Sequence, residues 1–338
     1  MSAILHESIE GRLEFLNQSK LPAVLTPLGN QTLRALLEEA KEPLAAILRR
    51  HGAILFRGFD LSTADEFHAV AAQRFQNELQ AYVGGISPRG QVTSGVYEST
   101  RFPSGLRIPQ HNEMSYLPNP PRELAFFCEV EPQHGGDTPL ADSRLIYDLV
   151  PKETRDLFAE RGIRYHRYLY GPRVNLYLRA CNRIVELHNS WMDAFSTSDP
   201  AVVERVCAEH GETVKWDSEG GAQISSVLPA VRRHPETGEM LWFNQVSIFL
   251  TSPQSTGRAL WLLHRIAHPI ALRRPLHATL GDGTPISLRQ LNQVNHAIDR
   301  ATVRFRWRRG DLLLVDNYLV SHGRMPFRGE RRILVAIR

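Results

Sequence analysis

The 338-residue sequence has few cysteines and lacks any long apolar run. Cys128, Cys181 and Cys207 are widely spaced and form no CxxC pair, so neither a disulfide framework nor a thiolate zinc site is indicated. No stretch of 18 apolar residues occurs, and the first residues lack a basic region followed by an apolar run. We therefore expect a protein of the reducing cytoplasm that does not enter a membrane.

The sequence also lacks a strong bias of charge. Forty basic residues stand against 36 acidic ones, and the net charge is only +4. This balance leaves room for an anionic substrate, but the basic residues are spread along the chain and form no tail for a nucleic acid. Hydrophobic residues make up 42% of the chain, which is typical of a globular protein with a large core.

The first third of the chain carries clear local signals. Residues 31–51 place leucines at helical spacing, interrupted by Pro43, and predict a helical opening. The apolar run Ala53–Phe56 predicts a strand, and residues 62–66 predict a capped helix start. Another strand is expected over residues 124–131, followed by a helix that begins near Asp142.

The last third is strand-rich. Residues 226–245 predict a hairpin whose loop is Pro235–Glu239, and residues 301–309 and 311–322 predict a final pair of strands. Residues of about 150–225 are expected to be an insertion between core strands. No repeat or low-complexity linker divides the chain, so we expect one mixed α+β domain over residues 1–338. Its predicted core is a double-stranded β-helix, or jelly roll, with surrounding helices.

The segment PQHNEMSYLP contains His111 and Glu113, one residue apart. On a strand, alternate side chains project to the same face, so an imidazole and a carboxylate could reach one ion together. His322, which follows an apolar run and precedes the small residue Gly323, is the best candidate for a third ligand. Two histidines and one carboxylate leave three coordination positions open, as in non-haem Fe(II) oxygenases. Alone, such a short pattern arises more often by chance, and the same ligands could hold the zinc ion of a hydrolase.

Five ordered segments resemble the TauD/TfdA family of Fe(II)/2-oxoglutarate-dependent dioxygenases, from about residue 50 to the C-terminus. They are GAILFRGF (52–59), HNE (111–113), GGDTPLADSR (135–144), HPETGEMLWFNQ (234–245) and GDLLLVDNYLVSHGRMPFRGERRIL (310–334). The chain resembles in particular those members that modify amino acids or aminoacyl groups in natural-product pathways.

The resemblance implies that His111, Glu113 and His322 bind Fe(II) and that 2-oxoglutarate and O2 are co-substrates. It assigns the far carboxylate of 2-oxoglutarate to Arg332 and Thr138, because a planar guanidinium offers the paired donors that a carboxylate accepts. The neighbouring Arg331 is a competing anchor.

Two departures from the commonest family pattern narrow the chemistry. Glu113 stands where many members have aspartate, and the clavaminate synthase-like relatives also have glutamate at this position. A retained carboxylate argues against halogenation. Ala336, four residues after Arg332, stands where taurine-processing members have an arginine for the sulfonate. Taurine is therefore not the expected substrate.

The other candidate site residues come from segments near these motifs. Arg107 is a candidate for the cofactor pocket, and Tyr82, Tyr97, Phe243 and Asn244 are candidates for the substrate pocket. The expected reaction is hydroxylation of an unactivated C–H bond of a small amino-acid-like substrate, either free or presented by a carrier protein. Desaturation or epoxidation at the same site, a zinc hydrolase and a non-catalytic jelly-roll binding protein remain alternatives.

Overall fold

The computed structural model describes residues 9, 11–79, 91–99, 102–172, 190–253, 257–267 and 273–338. Its helices are Leu33–Glu39, Lys41–His51, Ala64–Arg74, Ser143–Leu149, Lys152–Arg161, Trp191–Phe195, Pro200–Glu209, Val246–Phe249, Arg258–Ala267 and Leu288–Ala301. Within these ranges, none of the helices combines the length and the apolar character needed to cross a membrane.

The strands alternate with these helices along the whole chain. They are β1 Glu14–Phe15, β2 Ala23–Leu25, β3 Ala53–Phe56, β4 Gln91–Thr93, β5 Val96–Glu98, β6 Ile108–His111, β7 Glu123–Val130, β8 His134–Gly135, β9 Thr138–Asp142, β10 Ile163–Leu169, β11 Thr213–Trp216, β12 Ala222–Leu228, β13 Val231–Arg233, β14 Met240–Trp242, β15 Leu276–Leu280, β16 Thr302–Phe305, β17 Leu312–Asp316, β18 Val320–Arg324, β19 Phe327–Arg328 and β20 Arg332–Ile337.

Three local features that the sequence predicts are confirmed. The helix Ala64–Arg74 begins with a capping box, in which the Thr63 hydroxyl accepts from the Glu66 N–H and the Glu66 carboxylate accepts from the Thr63 N–H. Pro43 lies in the first turn of the helix Lys41–His51, where its missing N–H costs no helical hydrogen bond. Strands β13 and β14 form the predicted hairpin, with Val231 opposite Trp242.

Two sheets form the core. The large sheet has the order β1-β2-β3-β17-β7-β20-β5-β4, and the small sheet has the order β16-β9-β18-β6. One hydrophobic cluster contains residues of both sheets, including Phe126 and Val335 of the large sheet and Leu140 and Val320 of the small sheet. The two sheets therefore pack face to face, as a jelly roll requires.

The other face of the large sheet packs against the N-terminal helices. Leu334 of β20 and Phe127 of β7 join Leu44 and Phe67 of these helices in a second cluster. Successive side chains of a strand point to opposite faces, so each central strand contributes to both clusters. The side chains near the small sheet are those of Phe126, Ile333 and Val335.

The expected strand over residues 311–322 is in fact two strands. Strand β17 pairs with β3 and β7 in the large sheet, whereas β18 pairs with β9 and β6 in the small sheet. Between them the chain turns at Asp316, whose Oδ1 accepts hydrogen bonds from the N–H groups of Tyr318 and Leu319. The prediction of one strand was wrong because Asp316 and Asn317, which interrupt the apolar run, are turn-forming residues and here form the turn.

Strands β10 and β11 come from the expected insertion. They join β12 and β15 in a four-stranded sheet of order β11-β12-β10-β15, which is separate from the two core sheets. That residues 150–225 are an insertion, and that the chain is one domain, stay predictions.

Candidate active site

The two histidines face each other across paired strands of the small sheet. His111 ends β6 and lies directly opposite His322 of β18, and the ring centroids are 4.4 Å apart. Gly323 allows this approach, since a Cβ at that position would lie 2.6 Å from the Ile108 carbonyl oxygen. Glycine is thus required by the packing of two backbones and not only by space near the metal.

Glu113 lies beyond the end of β6 and does not continue the strand. The following residue, Met114, has a φ of 51°, which is the left-handed conformation of a turn. Strand alternation, on which the sequence argument relied, is therefore not what brings Glu113 to His111. The Glu113 Oε2 nevertheless lies 3.7 Å from the His322 Nε2, and ligand atoms of all three residues lie within 4.8 Å of one another.

The chemistry of these three side chains fits a divalent cation. Glu113 and His322 are buried, so an ion would neutralise a carboxylate held away from water. The His111 Nδ1 lies 2.9 Å from the Pro109 carbonyl oxygen. Because a carbonyl only accepts, this contact puts the proton on Nδ1 and leaves the Nε2 lone pair available for a metal. Two imidazoles and one carboxylate match the ligand set of non-haem iron.

A cavity adjoins the two histidines. Its walls combine apolar side chains of the large sheet with a small number of polar groups. The lining residues are Ser99, Ile108, His111, Phe126, Thr138, His322, Gly323, Arg324, Arg331, Ile333 and Val335.

Arg331, and not Arg332, reaches this cavity. Arg331 precedes β20 and lines the wall together with Ile333 and Val335, which are the alternate positions of the strand. Arg332 instead pairs with Glu129, at 2.5 Å, and lies 3.7 Å from Glu98. This placement favours Arg331 over Arg332 as the anchor of a 2-oxo acid, and the anchor itself stays a prediction.

The Arg331 side chain is partly buried and has no carboxylate partner among the described residues. Its Nε donates to the Gly136 carbonyl oxygen at 3.1 Å, and no ion pair within 4.0 Å joins it to any described carboxylate. Burial lowers the pKa of Arg331 to about 10, and the charge of nearby Arg324 adds to this decrease. At neutral pH the side chain is therefore a desolvated cation facing a cavity, which favours an anionic ligand.

Thr138 lines the same cavity and is oriented by a residue that sequence reasoning missed. The Trp307 Nε1 donates a hydrogen bond of 2.9 Å to the Thr138 Oγ1, and both residues are buried. Since the hydroxyl oxygen accepts from the indole, its own proton remains available to a ligand in the cavity.

Arg324 is a second arginine of the cavity that sequence reasoning missed. Its guanidinium donates to the carbonyl oxygens of Phe102, Pro103 and Leu106 at 2.6–2.9 Å. Burial lowers the pKa of Arg324 to about 10. The signal was its position two residues after His322, where a strand brings it back to the same face.

The other predicted site residues lie elsewhere. Arg107 pairs with Asp299 at 3.2 Å and lines a different cavity, so it does not reach the cofactor pocket expected for it. Phe243 stacks on Tyr318 with ring centroids 4.7 Å apart, and Asn244 hydrogen-bonds to Ala230 and Val246.

The two tyrosines remain as predictions for the substrate pocket. Tyr97 lies opposite Val335 in the register of β5 and β20, so the two side chains share a face of the large sheet. Tyr82 lies outside the described residues.

The three side chains are the ligand set of a dioxygenase that depends on Fe(II) and 2-oxoglutarate, and the family that the chain matches is of this class. The chain belongs to the TauD/TfdA family, because the model of this family, described as "Taurine catabolism dioxygenase TauD, TfdA family", matches residues 23–337. The family, the activity and the cofactors expected from the sequence are thus confirmed.

Two relatives are similar over most of their length. The dapdiamide synthesis protein DdaC of Enterobacter agglomerans is 32% identical over 295 residues, which cover 87% of this chain and 84% of the relative. A clavaminate synthase-like protein of Arabidopsis thaliana is 30% identical over 318 residues, which cover 94% and 89% respectively.

Two solved structures confirm the fold. The structure of AAD-2 in complex with Mn(II) and N-oxalylglycine matches with a TM-score of 0.53 at 16% identity, over 96% of this chain and 95% of that one. The structure of PvcB, an Fe, α-ketoglutarate-dependent oxygenase from an isonitrile synthetic pathway, matches with a TM-score of 0.50 at 17% identity, over 93% and 84%.

Proposed function

We propose that this dioxygenase hydroxylates an unactivated C–H bond of an amino acid, or of an aminoacyl group tethered to a carrier protein, in a natural-product pathway. The observation that carries the proposal is that one cavity is lined by the two histidines, Thr138 and Arg331, and that Arg331 has no carboxylate partner among the described residues. Such a cavity suits a dianion that reaches from the metal to a guanidinium. The similarity to DdaC, a dapdiamide synthesis protein, supports an amino-acid-like substrate.

Each residue has a distinct role in this proposal. His111, Glu113 and His322 hold Fe(II), which together with 2-oxoglutarate and O2 supplies the oxidant for the C–H bond. Arg331 binds the far carboxylate of 2-oxoglutarate through paired N–H donors, and Thr138 donates its hydroxyl proton to the same group. Phe126, Ile333 and Val335 line the cavity and would shield the methylene chain of 2-oxoglutarate from water.

The substrate is not expected to carry a sulfonate in place of the amino-acid carboxylate. With Arg331 as the anchor, the residue four positions later is Val335, which is apolar and buried, as is Ala336. Neither supplies the cation that taurine-processing members use. The carboxylate of Glu113 likewise favours oxygenation over halogenation, because on a bound metal it would take the coordination position that a halide needs.

An anaerobic titration tests the proposal. Addition of Fe(II) and 2-oxoglutarate should give the visible charge-transfer absorption of the chelate, and Glu113→Ala should require a higher Fe(II) concentration to give it. A pulse of O2 should then yield succinate, with a hydroxylated product from at least one member of a panel of free and carrier-bound amino acids.

The outcomes separate the alternatives. If the chelate absorbs and succinate forms but no amino acid is modified, the proposed substrate class is contradicted and the dependence on Fe(II) and 2-oxoglutarate is not. A desaturated or epoxidised product would replace hydroxylation, since both reactions need the same metal ligands. Turnover without O2 would indicate a zinc hydrolase, and a lack of both absorption and turnover would indicate a binding protein.

A further inference from the structure

The metal carboxylate needs support that the sheet does not supply. The ladder between β6 and β18 fixes His111 against His322, but β6 ends at His111. Glu113 lies two residues later, in a turn that contains the left-handed residue Met114. Since turns outside a sheet are free to move unless other groups hold them, the position of the carboxylate must depend on contacts from elsewhere.

One buried side chain holds the backbone of Glu113 from both sides. The Asn317 Oδ1 accepts a hydrogen bond of 2.7 Å from the Glu113 N–H, and the Asn317 Nδ2 donates to the Glu113 carbonyl oxygen at 3.0 Å. The same Nδ2 donates to the Pro121 carbonyl oxygen at 2.7 Å. Asn317 is fully buried, so its amide group has no water to compete for these partners.

The backbone of Asn317 is held in the same network. Its carbonyl oxygen accepts from the Asn112 Nδ2 at 2.7 Å, and the Asn112 carbonyl oxygen accepts from the Gln245 Nε2 at 2.7 Å. The Asn317 N–H donates to the Arg122 carbonyl oxygen at 2.9 Å. The turn that carries Glu113 is therefore joined by hydrogen bonds to the turn between β17 and β18.

This second turn leads directly to the other side of the metal site. Asn317 lies five residues before His322, and β18 begins at Val320. Asn317 thus sets the distance between the segment that carries Glu113 and the strand that carries His322.

We propose that Asn317 is a positioning residue that fixes the turn of Glu113, so that the carboxylate is in place for the metal before the metal binds. The proposal rests on the proposed role of Glu113 as a metal ligand. Residues that orient metal ligands commonly change metal affinity by about 10- to 100-fold when they are replaced. Loss of Asn317 should therefore weaken metal binding itself, beyond any loss of stability.

The test measures metal affinity in the absence of 2-oxoglutarate, substrate and O2. Mn(II) is titrated into the whole metal-free chain, wild type and Asn317→Ala, and the free ion is followed by electron paramagnetic resonance. We expect the dissociation constant of Asn317→Ala to rise by about 10- to 100-fold. Asn317→Ser, whose hydroxyl can replace one of the lost hydrogen bonds, should give a smaller rise and serves if the alanine variant does not fold.

Asn244→Ala is the matched control. Asn244 is also a buried asparagine that hydrogen-bonds to two backbone groups, at 2.9 Å and 3.1 Å, but neither belongs to a metal ligand. Both alanine variants should lower the melting temperature of the metal-free protein, and only Asn317→Ala should change the affinity for Mn(II). The absorption spectrum of bound Co(II), which reports coordination geometry, should change in the Asn317 variants alone.

The result that overturns the proposal is a dissociation constant of the Asn317 variants within about twofold of wild type, since such a value would leave Asn317 with a structural role only. If the wild type does not bind Mn(II), or if Glu113→Ala binds it equally well, the assignment of the metal ligands fails instead. The two failures are therefore distinguishable.

Discussion

The two sides of the large sheet differ in what they bury. On the side of the N-terminal helices, the described residues 11–79 contribute no buried polar or charged side chain, and the buried polar residues of the described chain begin only at Gln110. On the side of the small sheet lie Glu113, His322 and two guanidinium groups. A buried polar group costs free energy unless it is hydrogen-bonded. The comparison indicates that one side serves stability and the other serves chemistry.

Phe126 and Phe127, neighbours on β7, give the largest expected difference between the two sides. Phe127 is fully buried on the helix side and stacks on Phe67 with ring centroids 5.4 Å apart. Phe127→Ala should therefore lower the free energy of unfolding by about 3–5 kcal/mol, measured by chemical denaturation.

The counterpart, Phe126→Ala, should act on the site. Phe126 lines the cavity, and its ring centroid lies 5.0 Å from that of His322. Its loss should cost less stability but weaken 2-oxoglutarate binding in an anaerobic titration. Equal losses of affinity in the two variants would contradict a division of labour between the two sides.

The adjacent residues Arg331 and Arg332 allow the same comparison, because Arg331 lines the cavity and Arg332 does not. Arg331→Gln should raise the KM for 2-oxoglutarate by about 10- to 100-fold, because a charge-assisted, paired hydrogen bond is lost. Arg332→Gln should change it by less than about twofold, because an ion pair on a partly exposed residue contributes little. The measurement is succinate formation at varied 2-oxoglutarate concentration, and the opposite order of effects would restore Arg332 as the anchor.

Trp307 gives the smallest expected effect. Trp307→Phe removes the hydrogen bond to the Thr138 hydroxyl, which is then free to turn, and should raise the KM for 2-oxoglutarate by about two- to fivefold. Trp242→Phe is the control, since the Trp242 indole nitrogen is buried without a hydrogen-bond partner among the described residues. Both variants lose packing, so an equal rise in KM would show that the hydrogen bond itself does not matter.

The features that sequence predicted well are those with local signals. The capping box at Thr63 and Glu66 and the hairpin loop at Pro235–Glu239 depend on residues a few positions apart. The family resemblance depended on ordered motifs, and it gave the fold and the cofactors correctly. It also named three side chains that the structure brings within reach of one ion.

The features that sequence missed depend on distant contacts or on a shift of one residue. Arg331 shares a face of the strand with Ile333 and Val335, whereas the family motif indicated the neighbouring Arg332, and a difference of one residue places a side chain on the opposite face. Asn317 looked like one position of a continuous strand, because its partners are about 200 residues away in the chain. Arg107, Phe243 and Asn244 were named for their nearness to motifs, which does not determine where a side chain points.

The contact between Gly323 and the Ile108 backbone restricts how this enzyme can be redesigned. Any side chain at position 323 would have to displace a main-chain carbonyl oxygen, and with it the separation of the two histidines. A mutant library that seeks to accept a bulkier 2-oxo acid should therefore keep this glycine constant. Diversity belongs at Ile333 and Val335, where the wall of the cavity consists of side chains that can be shortened without moving the strands.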